Sequence, residues 1–171
     1  QDAAQLQKIW SDFSGVDQKL PDLAIDASRR LLELGGDKAT ARSWLLPVWE
    51  KGVNDPLALT DRQRIRLVQA LELAMSGEGE EDRADRDWLA RIESAQQSQP
   101  RDAALQYLAG VACMRRQLWG KAQQLFTQAA GGLQDPILRA SAWRNLAELA
   151  EQRGDSEAAA HAWKSAAQQQ R

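Results

Sequence analysis

Cysteine, histidine, tyrosine and phenylalanine are scarce in this sequence of 171 residues. Cys113 is the only cysteine, which excludes an intrachain disulfide, and His161 is the only histidine. Together they are too few for a zinc or haem-iron site built from protein side chains, so we expect no cofactor and no metal. Tyr107, Phe13 and Phe126 are the only tyrosine and phenylalanine residues, while Ala and Gln abound. This composition favours helices over strands and predicts an all-α fold.

The sequence also lacks a strong net charge, a long apolar run and a catalytic motif. Its 22 basic and 24 acidic residues provide no overall positive field, so nucleic acid is not an expected partner. Apolar runs such as 44–46 fall far short of the ~20 residues that span a bilayer. Because Gln1 stands where a start methionine would be, we expect a processed or excised chain whose upstream signals are not visible. Without a glycine-rich phosphate loop or a GxSxG motif, no enzyme is expected.

What the sequence does contain is an internal repeat in its second half. A shift of 37 residues aligns small and aromatic positions without a gap: Ala122 with Ala159, Phe126 with Trp163, and Ala129 with Ala166. Four prolines mark the starts of units at intervals of 35, 44 and 36 residues: Pro21, Pro56, Pro100 and Pro136. These intervals are close to the ~34 residues of a tetratricopeptide unit.

We therefore predict one helical repeat domain over 1–171. Its parts are a helix left from an upstream repeat (1–20), repeat one (21–55), a degenerate repeat two (56–99) with an acidic surface loop (76–87), repeat three (100–135) and repeat four (136–171). Predicted helices cover 3–13, 21–34, 38–51, 60–75, 87–97, 140–153 and 156–169. The first carries an apolar stripe that needs a partner face, and Pro47 is expected to bend or break the third. Asp37 and Asp155 are expected N-caps, and Thr60 and Gln63 form a predicted capping box.

The last unit resembles a tetratricopeptide repeat at its packing positions, namely Trp143, Leu146, Ala147, Gly154, Ala159, Trp163 and Ala166. The preceding unit supplies Gly110, Ala122, Phe126 and Ala129, but has Gln117 where the repeat has glycine. The run Leu118-Trp119-Gly120-Lys121-Ala122, with its flanks, resembles the proteobacterial HemY family of tetratricopeptide proteins. That resemblance implies a right-handed superhelix of antiparallel helix pairs, two membrane helices upstream of Gln1, an inner-membrane anchor with this domain facing the cytoplasm, and a late role in haem biosynthesis through protein contacts.

In such a superhelix the first helices of the units line a concave groove that binds a protein or peptide. Their positions off the apolar stripe are Arg62, Arg66, Gln69, Tyr107, Val111, Met114, Arg115, Arg144, Asn145, Glu148 and Gln152. Arginines on successive turns are suited to hold carboxylates or carbonyls of a peptide, although a solvated helix face has the same composition. Both interpretations stay open at this point.

Three further residues have alternative interpretations. Cys113 is expected to pack in the core, His161 to lie on the surface, and Trp119 either to cap the seam between repeats or to bind a partner. Two other functions remain open: a haem or porphyrin carrier with Met114, Tyr107 and Cys113 in one pocket, and a homo-oligomeric array that pairs through its open repeat face.

Overall fold

The computed structural model describes residues 2–75 and 83–169, and the chain divides into two compact units, Gln1–Asp85 and Arg86–Arg171. The described residues form helices and no strand, which confirms the all-α prediction. The helices are α1 (Ala3–Asp12), α2 (Gly15–Gln18), α3 (Pro21–Glu33), α4 (Lys38–Asn54), α5 (Asp61–Met75), α6 (Arg83–Ser98), α7 (Ala103–Arg115), α8 (Trp119–Gly132), α9 (Pro136–Gln152) and α10 (Ser156–Gln168). The division falls inside the segment 56–99 predicted as repeat two. Within the described ranges, no helix is both long enough and apolar enough to cross a membrane.

Short polar side chains begin most of these helices by accepting a backbone N–H, as the sequence predicted. Asp37 accepts from the amide of Thr40 at 2.9 Å, and Asp155 accepts from that of Ala158 at 3.0 Å. The capping box at the start of α5 is present: the Gln63 amide donates to the Thr60 hydroxyl, and the Thr60 amide donates to the Gln63 side chain.

Left-handed residues terminate three helices. Gly35 after α3 and Gly154 after α9 have φ of +76° and +77°, where glycine avoids the Cβ clash. Gln117, at the position where the repeat has glycine, adopts the same conformation with φ of 60°. The turn between α7 and α8 therefore has a strained backbone at Gln117, because its Cβ is crowded in this conformation.

The first unit is built on α3, α4 and α5, which pack on one another, with α1 and α2 against α3. Trp10 of α1 stacks on Trp44 of α4 with ring centroids 4.7 Å apart, and it is buried. The partner face that the α1 stripe was predicted to need is supplied at Trp10 by α4. Pro47 does not break the helix, because α4 is continuous from Lys38 to Asn54, and of the two predicted alternatives only a bend stays a prediction.

One charged pair is buried in the first unit. The side chains of Arg42 and Asp85 are only 6% and 3% exposed, and their Nη1 and Oδ1 atoms are 3.8 Å apart. Arg42 also donates to the Ala74 carbonyl at 2.8 Å, at the end of α5. The predicted surface loop 76–87 is therefore too long: 76–82 lie outside the described residues, but α6 already begins at Arg83 and buries Asp85.

In the second unit α7 packs on α8, α8 on α9, and α9 on α10. Gly110 lets α7 approach the buried ring of Phe126, since a Cβ there would lie 2.9 Å from the ring. Cys113 is buried and His161 exposed, as predicted. Trp163 was predicted at a packing position, yet its ring is exposed and its indole N–H donates to Glu151 at 2.7 Å.

Candidate functional site

In the first unit, the predicted groove residue Arg66 already pairs with two carboxylates of the chain itself. Arg66 of α5 forms ion pairs with Asp22, at 3.4 Å, and with Asp26, both on α3. Arg62, one turn earlier, is exposed, and Gln69 is half-buried. The two aspartates are 67% and 64% exposed, so water competes for them and the ion pairs contribute little to stability. Arg66 is therefore less available to a partner than the sequence suggested.

The part of the groove on α9 has polar side chains at successive turns. Arg144 donates to the Ser141 hydroxyl at 2.8 Å, and Asn145 donates to the Ser141 carbonyl at 3.0 Å. Both are half-buried, whereas Glu148 and Gln152 are exposed. Because these bonds are local to the helix, they orient Arg144 and Asn145 while leaving the row accessible.

The part of the groove on α7 is less open than predicted. Val111, Met114 and Arg115 are half-buried. Tyr107 is fully buried and meets the ring of Phe126 edge-on, with centroids 5.6 Å apart. The assignment of Tyr107 to an accessible groove is therefore wrong, because α7 buries nearly all of its middle turns and leaves this side chain in the core.

A small cavity lies between α6, α7 and α8 and includes Cys113. Apolar groups form much of its lining, and charged groups border it: Leu89, Glu93, Gln96, Ala109, Ala112, Cys113, Arg116, Leu118, Lys121 and Leu125. Its volume is about 20 Å³, which suffices for about one water molecule. Tyr107 and Met114 do not line it, so this cavity is not the pocket expected for a haem or porphyrin carrier.

Glu93 accepts two charged hydrogen bonds at this cavity, which no sequence pattern indicated. Lys121 Nζ lies 3.1 Å from one carboxylate oxygen, and Arg116 Nη1 lies 3.4 Å from the other. The hydrogen bond and charge of Lys121, followed by the charge of Arg116, hold the pKa of Glu93 below its ordinary value. Burial raises the pKa of the Cys113 thiol. The lowered pKa makes Glu93 a weaker general base, and the raised pKa favours the protonated thiol of Cys113 over the nucleophilic thiolate.

Comparisons with protein-family models, with curated proteins and with solved structures find no match. The tetratricopeptide and HemY resemblances therefore stay predictions. Among the described residues, no group of three or more His, Cys, Asp or Glu side chains is placed to hold a metal ion.

Proposed function

We propose that this chain is a non-enzymatic scaffold that binds other proteins, and that it is the tetratricopeptide region of a HemY-like protein associated with haem biosynthesis. The observation that supports binding is the polar row on α9, formed by Arg144, Asn145, Glu148 and Gln152. We refer to these four residues as the α9 row.

One face of α9 packs in the core, and we assign partner binding to the accessible side chains. Leu138, Ala142 and Leu149 are buried and hold α9 against the neighbouring helices. Arg144, Glu148 and Gln152 lie off that face. Asn145 is seven residues after Leu138 and four before Leu149, so it lies at the edge of the buried face, and its hydrogen bond, like that of Arg144, stays within α9. Side chains that contribute little to packing can be chosen for binding rather than for stability. An arginine, an amide and a carboxylate offer hydrogen-bond donors and acceptors for a peptide backbone.

The pKa shifts favour a scaffold over a catalyst. A nucleophilic cysteine needs a lowered pKa, and a general base needs one near neutral pH. The structure has the reverse in its small cavity, with the pKa of Cys113 raised and that of Glu93 lowered. These two groups thus have no support as a catalytic pair.

Site-specific photocrosslinking in cells that produce the full-length protein would test the proposal. A photoreactive residue at Glu148 is expected to give a discrete adduct with a second protein, whereas one at the exposed Lys164 of α10 is not. Reversing Arg115 and Arg144 to glutamate should abolish the adduct, and circular dichroism would verify the fold of that variant. Equal crosslinking from both positions, or an unchanged adduct in the double variant, would refute the groove.

The HemY part of the proposal has a separate test. The resemblance expects two hydrophobic segments encoded before Gln1, an inner-membrane location and a cytoplasmic face for this domain. The gene sequence upstream of Gln1, together with protease accessibility in spheroplasts and inverted vesicles, would decide these points. If no such segments are encoded, the HemY assignment fails while the scaffold proposal stands.

A further inference from the structure

Two large apolar side chains are exposed side by side where α8 begins. Leu118 is 45% and Trp119 is 42% exposed. Single exposed apolar residues are ordinary on protein surfaces. Tryptophan and arginine, however, are enriched at interface centres, and Trp119 and Arg116 lie close together in the sequence here. These residues lie outside the predicted groove, and the proposed function does not use them. We call them, together with Arg116 and Lys121, the α8 patch.

The charges that α7 and α8 contribute around the α8 patch are all positive. Residues 103 to 134, which include all of α7 and α8, contain no aspartate or glutamate. Their three basic residues, Arg115, Arg116 and Lys121, are all within a few positions of Leu118 and Trp119. Glu93 of α6 pairs with Arg116 and Lys121, but one carboxylate does not neutralise two cations. Surface charge of one sign beside apolar groups selects a partner segment of the opposite sign.

Backbone N–H groups add further positive charge at the start of α8. Leu118, the N-cap of α8, forms no side-chain cap, and the amides of Trp119 and Gly120 donate to no described residue. Free N–H groups at a helix start carry partial positive charge. An aspartate or serine side chain caps α1, α2, α4, α7, α9 and α10 instead. The exposed amides thus strengthen the preference of the side chains for carboxylates.

We infer that the α8 patch binds an acidic segment of a partner protein that carries an aliphatic or aromatic side chain. The apolar side chain packs on Leu118 and Trp119, while neighbouring carboxylates pair with Arg116, Lys121 and the free amides. The adjoining cavity, about 20 Å³ in volume, holds about one water molecule and not a side chain, so the contact is made on the surface. A protein segment fits better than a membrane, because two apolar residues are too few to bind a lipid surface firmly.

Nuclear magnetic resonance of the ¹⁵N-labelled protein would test this inference. The probe is the peptide Asp-Asp-Leu-Asp-Asp-Phe-Asp-Asp, and the reporter is the indole N–H of Trp119, identified by its loss in Trp119→Phe. One control peptide replaces every Asp by Asn, and the other replaces Leu and Phe by Ser. We expect a saturable shift of the indole and of the Gly120 amide with the probe, and much weaker binding of both controls.

Variants separate the α8 patch from the α9 row. Trp119→Ala is expected to weaken binding of the probe at least about fivefold, because tryptophan is a frequent hot-spot residue. Lys121→Gln is expected to weaken it by a similar factor, because it removes a cation that pairs with the carboxylates of the probe. Trp119→Phe should retain most of the affinity, and Glu148→Arg should leave it unchanged, so failure here leaves the groove proposal intact. Absence of a saturable shift, equal binding of the Asn peptide, a shift with phosphatidylserine vesicles in place of the probe, or the same shift on concentrating the protein alone would overturn the inference.

Discussion

Replacing Arg42 with methionine is expected to destabilise the first unit by about 3 to 5 kcal/mol, the cost of removing one member of a buried charged pair. At the observed 3.8 Å from Asp85, two unit charges attract by about 4 kcal/mol at an effective dielectric constant of about 20. The hydrogen bond to the Ala74 carbonyl is charge-assisted and contributes a further ~1.5–3 kcal/mol. Methionine has a similar volume and needs no hydration, which offsets part of this sum.

Urea unfolding followed by far-ultraviolet circular dichroism would measure the effect. Arg30→Met is the matched control, because its ion pair with Glu33 is exposed, and it should change stability by less than about 0.5 kcal/mol. The double variant Arg42→Met with Asp85→Leu should recover much of the loss, since it leaves no buried charge. If Arg42→Met unfolds at the same urea concentration as Arg30→Met, or if the double variant is no more stable than the single one, the buried pair is not the stabilising feature described.

Three further predictions concern the second unit. Gly110→Ala should lower its stability by about 1–3 kcal/mol because the new methyl group meets a buried ring, whereas Gly131→Ala, which meets no atom within 4 Å, should be neutral or stabilising by up to ~1 kcal/mol in thermal unfolding. Gln117→Gly should stabilise by about 0.5–1 kcal/mol by removing left-handed strain, and a lowered melting temperature would contradict that account. Because the pKa of Glu93 is lowered, its ionised form stabilises the native state above the ordinary glutamate pKa, and this contribution is lost as the pH falls through the lowered value. In Lys121→Ala, NMR titration should show the pKa of Glu93 moving back up. An unchanged pKa would exclude the ion pair.

Helix boundaries were predictable from the sequence where a capping side chain or a glycine marks them, because these signals are local, whereas α9 begins four residues before its predicted start at 140 and α6 four residues before 87. A capping aspartate needs only the amide three residues ahead, as at Asp37 and Asp155. The glycine stop at Gly154 likewise depends on its own φ. Interactions of this range are contained in a few consecutive residues, so a single sequence suffices to predict them.

The contacts between helices were not predictable in the same way. Arg66 and its partner Asp26 are 40 residues apart, and a helical repeat indicates which side chains share a face but not which charges meet across it. Tyr107 illustrates a second limit. Every residue from Leu105 to Gly110 is buried, so α7 has no polar face in its middle turns, and the rule that positions off the stripe line a groove fails there.

Net charge is a poor guide to what this chain attracts, because its charges are unevenly distributed. The whole chain has a formal charge of −2, but a partner experiences mainly the charges within a Debye length, about 10 Å at 0.1 M salt. In the first unit Arg66 is met by two aspartates of α3, which cancel its field nearby. On the α9 row Arg144 and Glu148 carry opposite charges, so we expect this row to act through hydrogen bonds rather than through long-range attraction. Arg116 and Lys121 share the carboxylate of Glu93, so we expect attraction of an acidic partner to be strongest at the α8 patch.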